Sequence, residues 1–210
     1  MISSLSSGGA ERVLTLLAQG LAQRGHQVTV VTLFGTRTDF YRLPEGVRRR
    51  ALDIAGESPT VLHAIRNNLR RLRKLRQAVR STRPDVVISF QDRTNVLTSL
   101  SVLGTGYTLI ATEHLDPSMV PGGRVWKWLR RLTYPRLAKV VSVSLGVDQY
   151  FGWLPESQRS VIYNPLTPIE RVRDSAGVPA GADPSKKWIV AMGRLAHQKG
   201  FDLLLSAFHM

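Results

Sequence analysis

Short β-branched runs that alternate with longer helical patterns constrain this chain more than any other feature. Val28–Phe34 (VTVVTLF), Asp85–Phe90 (DVVISF), Thr108–Thr112 (TLIAT), Lys139–Ser144 (KVVSVS) and Arg159–Tyr163 (RSVIY) read as strands. Ala10–Arg24 carries Val13, Leu14, Leu16, Leu17 and Leu21 at helical spacing. Thr60–Arg80 carries a stripe of Val61, Leu62, Ile65, Leu69, Leu72, Leu75 and Val79, which is expected to pack on the sheet. Asn95–Leu103 and Arg124–Leu137 read as further helices. Apolar strands separated by amphipathic helices predict βαβ units, hence an α/β, Rossmann-like parallel sheet with helices on both faces. A first strand is expected within Met1–Leu5, which is short for one.

A composition break divides the chain. Residues 1–163 form the first domain in this reading. Residues 164–187 hold four prolines with several Gly, Asp and Ser residues, and read as a linker. Within residues 188–210, Trp188–Met192 predicts a strand, 193–200 a loop and Phe201–Phe208 a helix. One βα unit cannot bury its own apolar faces, so a second domain of roughly 150 residues is expected to be missing after it.

The 210 residues contain no cysteine, which excludes disulfides, thiolate metal sites and a Cys nucleophile. No apolar run approaches the ~20 residues of a membrane span, and the Ser/Gly-rich start is unlike a signal peptide. A cytoplasmic location is expected. The five histidines are scattered and no carboxylates are paired, so no metal is expected. The formal charge of +14 is uneven: residues 58–140 carry fifteen Lys/Arg against four Asp/Glu. An anionic partner for the middle of the chain follows. Nucleic acid is disfavoured, because no recognition motif accompanies the charge. A dinucleotide-dependent oxidoreductase is disfavoured too, since GxGxxG is absent and Thr32–Gly35 stands where a ribose-binding acid belongs.

Two glycine turns carry the chemistry. Ser6-Ser7-Gly8-Gly9-Ala10-Glu11-Arg12-Val13 lies between the first strand and the first helix. Gly8 and Gly9 let a ligand approach the backbone, and the helix N-terminus offers free N–H groups to an anion. A plain strand–helix turn needing two glycines fits the spacing equally. In the second turn, Gly193-Arg194-Leu195-Ala196-His197-Gln198-Lys199-Gly200-Phe201-Asp202, Arg194 offers a planar fork and Lys199 a compact charge for one diphosphate. In isolation, a solvated basic loop explains it as well.

Taken together these residues resemble the family-four glycosyltransferases, retaining enzymes of the two-Rossmann GT-B architecture. The resemblance rests on Gly8-Gly9-Ala10-Glu11-Arg12-Val13, Arg24-Gly25-His26 with Val28–Thr32, Tyr163-Asn164-Pro165, Gly193-Arg194-Leu195 and Gln198-Lys199-Gly200-Phe201-Asp202, in the family's order. It implies the first half of a GT-B enzyme: an acceptor-binding domain and the start of a donor-binding one. It implies that Gly8 and Gly9 face the acceptor, that His114 lines the sugar pocket, and that Gly193, Arg194 and Lys199 hold the donor diphosphate. Such cations stabilise charge developing on the leaving phosphate. Glu113 and Asp116, beside His114, are candidate contacts to acceptor hydroxyls. The expected reaction is retaining, metal-independent and cofactor-free sugar transfer from a nucleotide-sugar to a glycan or lipid-diphosphate-linked acceptor in cell-surface polysaccharide synthesis. The family's acidic donor-site pair has no match here, so little activity is expected of these 210 residues alone. A non-catalytic partner subunit keeping only the acceptor domain is the alternative.

Two basic clusters complete the sequence reading. Arg66, Arg70, Arg71, Arg73, Lys74, Arg76 and Arg80 share one helix, and Arg124-Val125-Trp126-Lys127-Trp128-Leu129-Arg130-Arg131 mixes tryptophan with cations. Trp favours the membrane interface and Lys/Arg are drawn to anionic lipid. Peripheral docking on the inner membrane face is the functional expectation. A solvated helix and two core tryptophans are the plain alternative.

Overall fold

The computed structural model describes residues 1–56, 60–119, 123–166, 183, 185–193, 195 and 199–209. It divides into two compact units, Met1–Leu166 and Thr167–Met210.

The first unit is a parallel α/β layer built around its N-terminal extended segment. In chain order its elements are α1 (Gly9–Gln23), β1 (Thr29–Thr32), β2 (Arg48–Ala51), α2 (Val61–Thr82), β3 (Val86–Phe90), α3 (Asp92–Val102), β4 (Thr108–Glu113), α4 (Arg124–Thr133), β5 (Lys139–Ser142), α5 (Leu145–Tyr150) and β6 (Arg159–Val161). β1 pairs with β2, and β3, β4, β5 and β6 form a second ladder in that order, all parallel. The N-terminal segment lies between the two ladders. Ile2 N donates to Val31 O (3.1 Å) and Leu33 N to Ile2 O (3.3 Å) on one side; Phe90 N donates to Met1 O (2.9 Å) on the other. The spatial order is therefore β2, β1, the N-terminal segment, β3, β4, β5, β6. The chain first winds one way from the segment and then the other, which makes the gap between the segment and β3 a topological switch point.

The strands form where the apolar runs predict them. Val30, Val31, Val87, Leu109, Ala111 and Val140 are all buried. One cluster joins Val79, Val96, Leu109, Tyr134, Val140 and Phe151 under the β3–β6 ladder. A second joins Ile2, Leu5, Leu14, Val30 and Phe90 around the N-terminal segment. Complete burial of Ile2 and Phe151 contributes on the order of 2 kcal/mol each.

Three expectations change. β2 has the sequence RRRA, which no hydrophobic pattern marks; it is an edge strand whose arginines bond outward, Arg49 to Asp39 and Arg50 to Ser81. The stripe on α2 packs only in its second half. Leu75 and Val79 are buried, whereas Leu62, Ile65 and Leu69 are 79%, 54% and 47% exposed. Residues 188–192 form no strand. A lone extended run needs a neighbour to complete its ladder, and among the described residues of the second unit none pairs with it. The helix expected after it is present as α6 (Phe201–Phe208). Most of the expected linker, 167–182 and 184, lies outside the described residues.

Candidate active site

Three adjacent chain ends meet at the switch point: the turn after the N-terminal segment, the end of β3 and the end of β4. Gly8 is the N-cap of α1 and Gly9 its first residue. The two glycines do different things. A Cβ on Gly8 would run into the Glu11 carboxylate, whose Cδ would lie 2.7 Å away, whereas a Cβ on Gly9 would meet nothing within 4 Å. Gly8 is thus small to admit Glu11, and Gly9 leaves open, exposed space. Glu11 is 5% exposed and sits in the first turn of α1. There it already compensates the positive helix end. This turn suits an uncharged hydroxyl better than a phosphate.

Across the gap stands Gln91, at the end of β3. Its Oε1 accepts from Ser3 Oγ (2.8 Å), and its Nε2 donates to Glu11 Oε1 (3.3 Å). Neither Gln91 nor the buried role of Glu11 is marked in the sequence. Only the position of Gln91, between a strand and a helix at a carboxyl end, hints at it.

His114 follows β4. Its ring stacks on Phe90 at 5.4 Å, and its Nε2 lies 3.2 Å from Thr112 Oγ1. The Thr112 hydroxyl donates its single proton to Ser89 O (3.0 Å), so it receives one from His114. Nε2 therefore carries the proton and Nδ1 is a bare acceptor. Nδ1 is buried, and no described residue bonds it. Burial lowers the His114 pKa from 6.5 to about 4, so the imidazole is neutral. The neutral ring thus keeps one buried acceptor for which the described residues supply no donor.

Glu113 faces the other way. It is 1% exposed, and its Oε1 accepts from Asn95 Nδ2 (2.8 Å) and from the Tyr134 hydroxyl. Burial raises its pKa from 4.5 to about 7, against the pull of those donors and of Arg130. Arg130, 2% exposed, donates through Nε to Asp92 (3.1 Å) and through Nη1 to the Tyr150 hydroxyl (3.2 Å). This inward network ties α3, α4 and α5 beneath β4 and holds the strand end that presents His114. Asp116 caps its own loop: its Oδ1 accepts from Ser118 N (2.8 Å) and Oγ (2.7 Å).

In the second unit, Gly193 is exposed. A Cβ there would stand 3.3 Å from the Phe201 ring, a tight approach, and 3.6 Å from Lys199 Cδ, an ordinary contact, so the glycine makes room for the ring. Lys199 is exposed. Arg194 lies outside the described residues.

The basic helices differ from expectation in Arg130, buried as described, in Arg76, half-buried with Nη1 donating to Leu103 O (3.2 Å), and in Arg71. Arg71 is turned inward, donating to Ile54 O (3.1 Å), Gly56 O and Asn68 Oδ1 (2.9 Å). Arg66, Arg70, Arg73, Lys74 and Arg80 are exposed. On α4, Trp126 packs against the core, while Val125 and Trp128 are 66% and 63% exposed. No described helix is long and apolar enough to cross a membrane.

Solved structures share this architecture. UDP-GlcNAc 2-epimerase from Methanocaldococcus jannaschii superposes with a TM-score of 0.57 at 15% identity, over 78% of this chain and 46% of that one. MurG from Acinetobacter baumannii does so with a TM-score of 0.54 at 16% identity, over 76% and 43%. These likenesses establish the Rossmann-like fold, as found in one half of a GT-B protein. In sequence, the chain is 28% identical over 207 residues to a GalNAc-alpha-(1->4)-GalNAc-alpha-(1->3)-diNAcBac-PP-undecaprenol alpha-1,4-N-acetyl-D-galactosaminyltransferase of Campylobacter jejuni. That match covers 99% of this chain and 55% of the relative, so the chain spans about half the relative's length. The profile of Glycosyltransferase Family 4 matches residues 7–168, from the Gly8–Gly9 turn through every strand of the first unit. With the glycine turn and the parallel sheet in agreement with that match, the chain belongs to Glycosyltransferase Family 4.

Proposed function

We propose that this protein transfers a sugar, with retention, from a nucleotide-sugar to a PP-undecaprenol-type, lipid-diphosphate-linked glycan. Met1–Leu166 holds the acceptor in this reading. Gly9 gives an acceptor hydroxyl room to approach, and the His114 Nδ1 takes a hydrogen bond from a sugar hydroxyl at the reaction centre. Glu113 acts from behind, fixing the strand end that carries His114, rather than by touching the acceptor. Asp116 keeps its loop beside that ring. Gly193, Arg194 and Lys199 hold the donor diphosphate and stabilise the leaving charge without a metal. The observation that supports the reading is that an open Gly9 follows the N-terminal segment and a neutral His114, whose Nδ1 no described residue bonds, follows β4, both at the carboxyl ends of one parallel sheet. The Campylobacter relative's lipid-linked substrate supports the choice of acceptor.

The acceptor's lipid calls for a membrane surface. The exposed Leu62, Ile65 and Leu69 flank Arg66, Arg70 and Arg73, and Val125 and Trp128 flank Arg124 and Lys127. Apolar side chains beside cations suit the interface of an anionic leaflet. We assign the protein to that face peripherally. Co-sedimentation with vesicles containing anionic lipid, and its loss with zwitterionic ones, is the expected result; equal partitioning contradicts docking.

The transfer itself is tested by incubating the protein with nucleotide-sugars and short-chain prenyl-diphosphate-linked glycans and weighing the acceptor. These 210 residues alone are expected to show little turnover; one added hexose or N-acetylhexosamine when the chain is joined to a donor-binding domain, abolished by His114→Ala, supports the reading. Hydrolysis or epimerisation of the nucleotide-sugar with no gain in acceptor mass overturns it.

A further inference from the structure

Gln91 holds a backbone conformation, φ 71° and ψ 141°, that residues with a Cβ seldom adopt. Its backbone bonds are ordinary: its N–H donates to Thr112 O (3.2 Å), and its C=O accepts from Asn95 N (2.8 Å) in the first turn of α3. Glycine would make both bonds without strain. What glycine lacks is the side chain, and this conformation sends that side chain across the switch-point gap. One end of its amide takes the Ser3 hydroxyl and the other holds the Glu11 carboxylate. Glu11 in turn fills the space beside Gly8.

We propose that Gln91 is the positioning residue of the acceptor turn. It anchors Glu11, and Glu11 sets the Gly8–Gly9 turn with the open side of Gly9 facing the crevice. That the turn faces an acceptor rests on the function proposed above; the anchoring itself does not. The device explains two features together. Strain at β3 is retained because the amide is needed, and Gly8 is required because Glu11 must lie against it. Gln91 touches no reacting atom in this scheme; it acts through Glu11.

Amide hydrogen exchange at Gly8 and Arg12, whose N–H groups donate to Ser6 O (2.8 Å) and Gly8 O (3.1 Å), read by NMR on the full chain, tests this without any substrate. Gln91→Gly relieves the backbone and removes the anchor. The turn amides are expected to exchange about tenfold faster, the scale of one lost hydrogen bond to a charged group. Gln91→Glu keeps the size but sets two carboxylates together, and is expected to speed the same amides. Glu11→Gln alone still accepts from Gln91 and is expected to stay near the natural protein. The double variant Glu11→Gln with Gln91→Glu restores a donor–acceptor pair of reversed polarity and is expected to return exchange to the Glu11→Gln level. Unchanged turn amides in Gln91→Gly and Gln91→Glu, or no rescue in the double variant, overturns the proposal. Failure of the transferase reading would leave these exchange results unaffected.

Discussion

Replacing Glu113 by glutamine isolates what one buried carboxyl group does to this fold. The side chain is 1% exposed, and its Oε1 receives Asn95 Nδ2 and the Tyr134 hydroxyl. Glutamine can present an oxygen to the same two donors, so the geometry survives and only the ionisation is lost. Burial raises the folded-state pKa from 4.5 to about 7. The folded protein therefore holds this proton more tightly than the unfolded chain does. Below pH 4.5 both states are protonated and there is no penalty. As pH rises from 4.5 the unfolded chain ionises first, and stability falls until the folded state also ionises near pH 7. At 1.36 kcal/mol per pH unit the complete penalty is about 3 kcal/mol above pH 7, most of which accrues between pH 5 and 8. Glutamine escapes it. Glu113→Gln is therefore expected to gain on the natural protein by that amount across the interval, and then to hold a constant lead. Urea unfolding of both proteins at half-unit pH steps, followed through the tryptophan fluorescence of the first unit, gives the difference directly. A stability difference that stays flat from pH 5 to 8 would refute the assignment of Glu113 as the buried proton-holding group.

Other consequences are simpler to check. His114 should remain neutral and protonated on Nε2 down to about pH 5; long-range ¹H–¹⁵N NMR showing a midpoint near 6.5, or an Nδ1 proton, contradicts the packing described. Gly8→Ala should cost about 1–3 kcal/mol in thermal unfolding, because Glu11 must leave Gln91. Gly9→Ala, at the start of α1 with open space around it, should be neutral or gain about 0.5 kcal/mol yet weaken acceptor binding. Arg130→Met should destabilise by about 2 kcal/mol, since it leaves Asp92 and the Tyr150 hydroxyl without their partner; Asp92 is 31% exposed, which limits the cost.

The parts of the fold legible in the sequence are those that depend on burial along one element. The apolar runs became β1, β3, β4, β5 and β6 because buried parallel strands need no alternation. β2 escaped because an edge strand can be made of arginines when neighbouring side chains accept from them. The stripe on α2 was visible, but how far along it the packing runs was not, so the exposed Leu62, Ile65 and Leu69 could not be separated from the buried Leu75 and Val79. The placement of Gly8 and Gly9 in a strand–helix turn and of His114 just past a strand end was legible because glycine turns and strand ends are sequence features. Division of labour between the two glycines was not, since it depends on where Glu11 folds. Glu113 and His114 are neighbours in sequence and face opposite ways, as successive strand residues do; only the inward network of Asn95, Tyr134 and Arg130 decides which of them faces in. Gln91 was silent because its positive φ is imposed by contacts with Ser3 and Glu11, about eighty residues earlier in the chain.

Acceptor recognition by the first unit is most directly tested by NMR titration of the full chain with a short-chain prenyl-diphosphate-linked N-acetylgalactosamine glycan. Saturable shifts at the Gly9 amide, the Gln91 side-chain amide and the His114 ring, absent when UDP-N-acetylgalactosamine is added alone, are the expected result. Binding that leaves these three groups unmoved, or a nucleotide-sugar that moves them just as the glycan does, would contradict the assignment of this crevice to the acceptor.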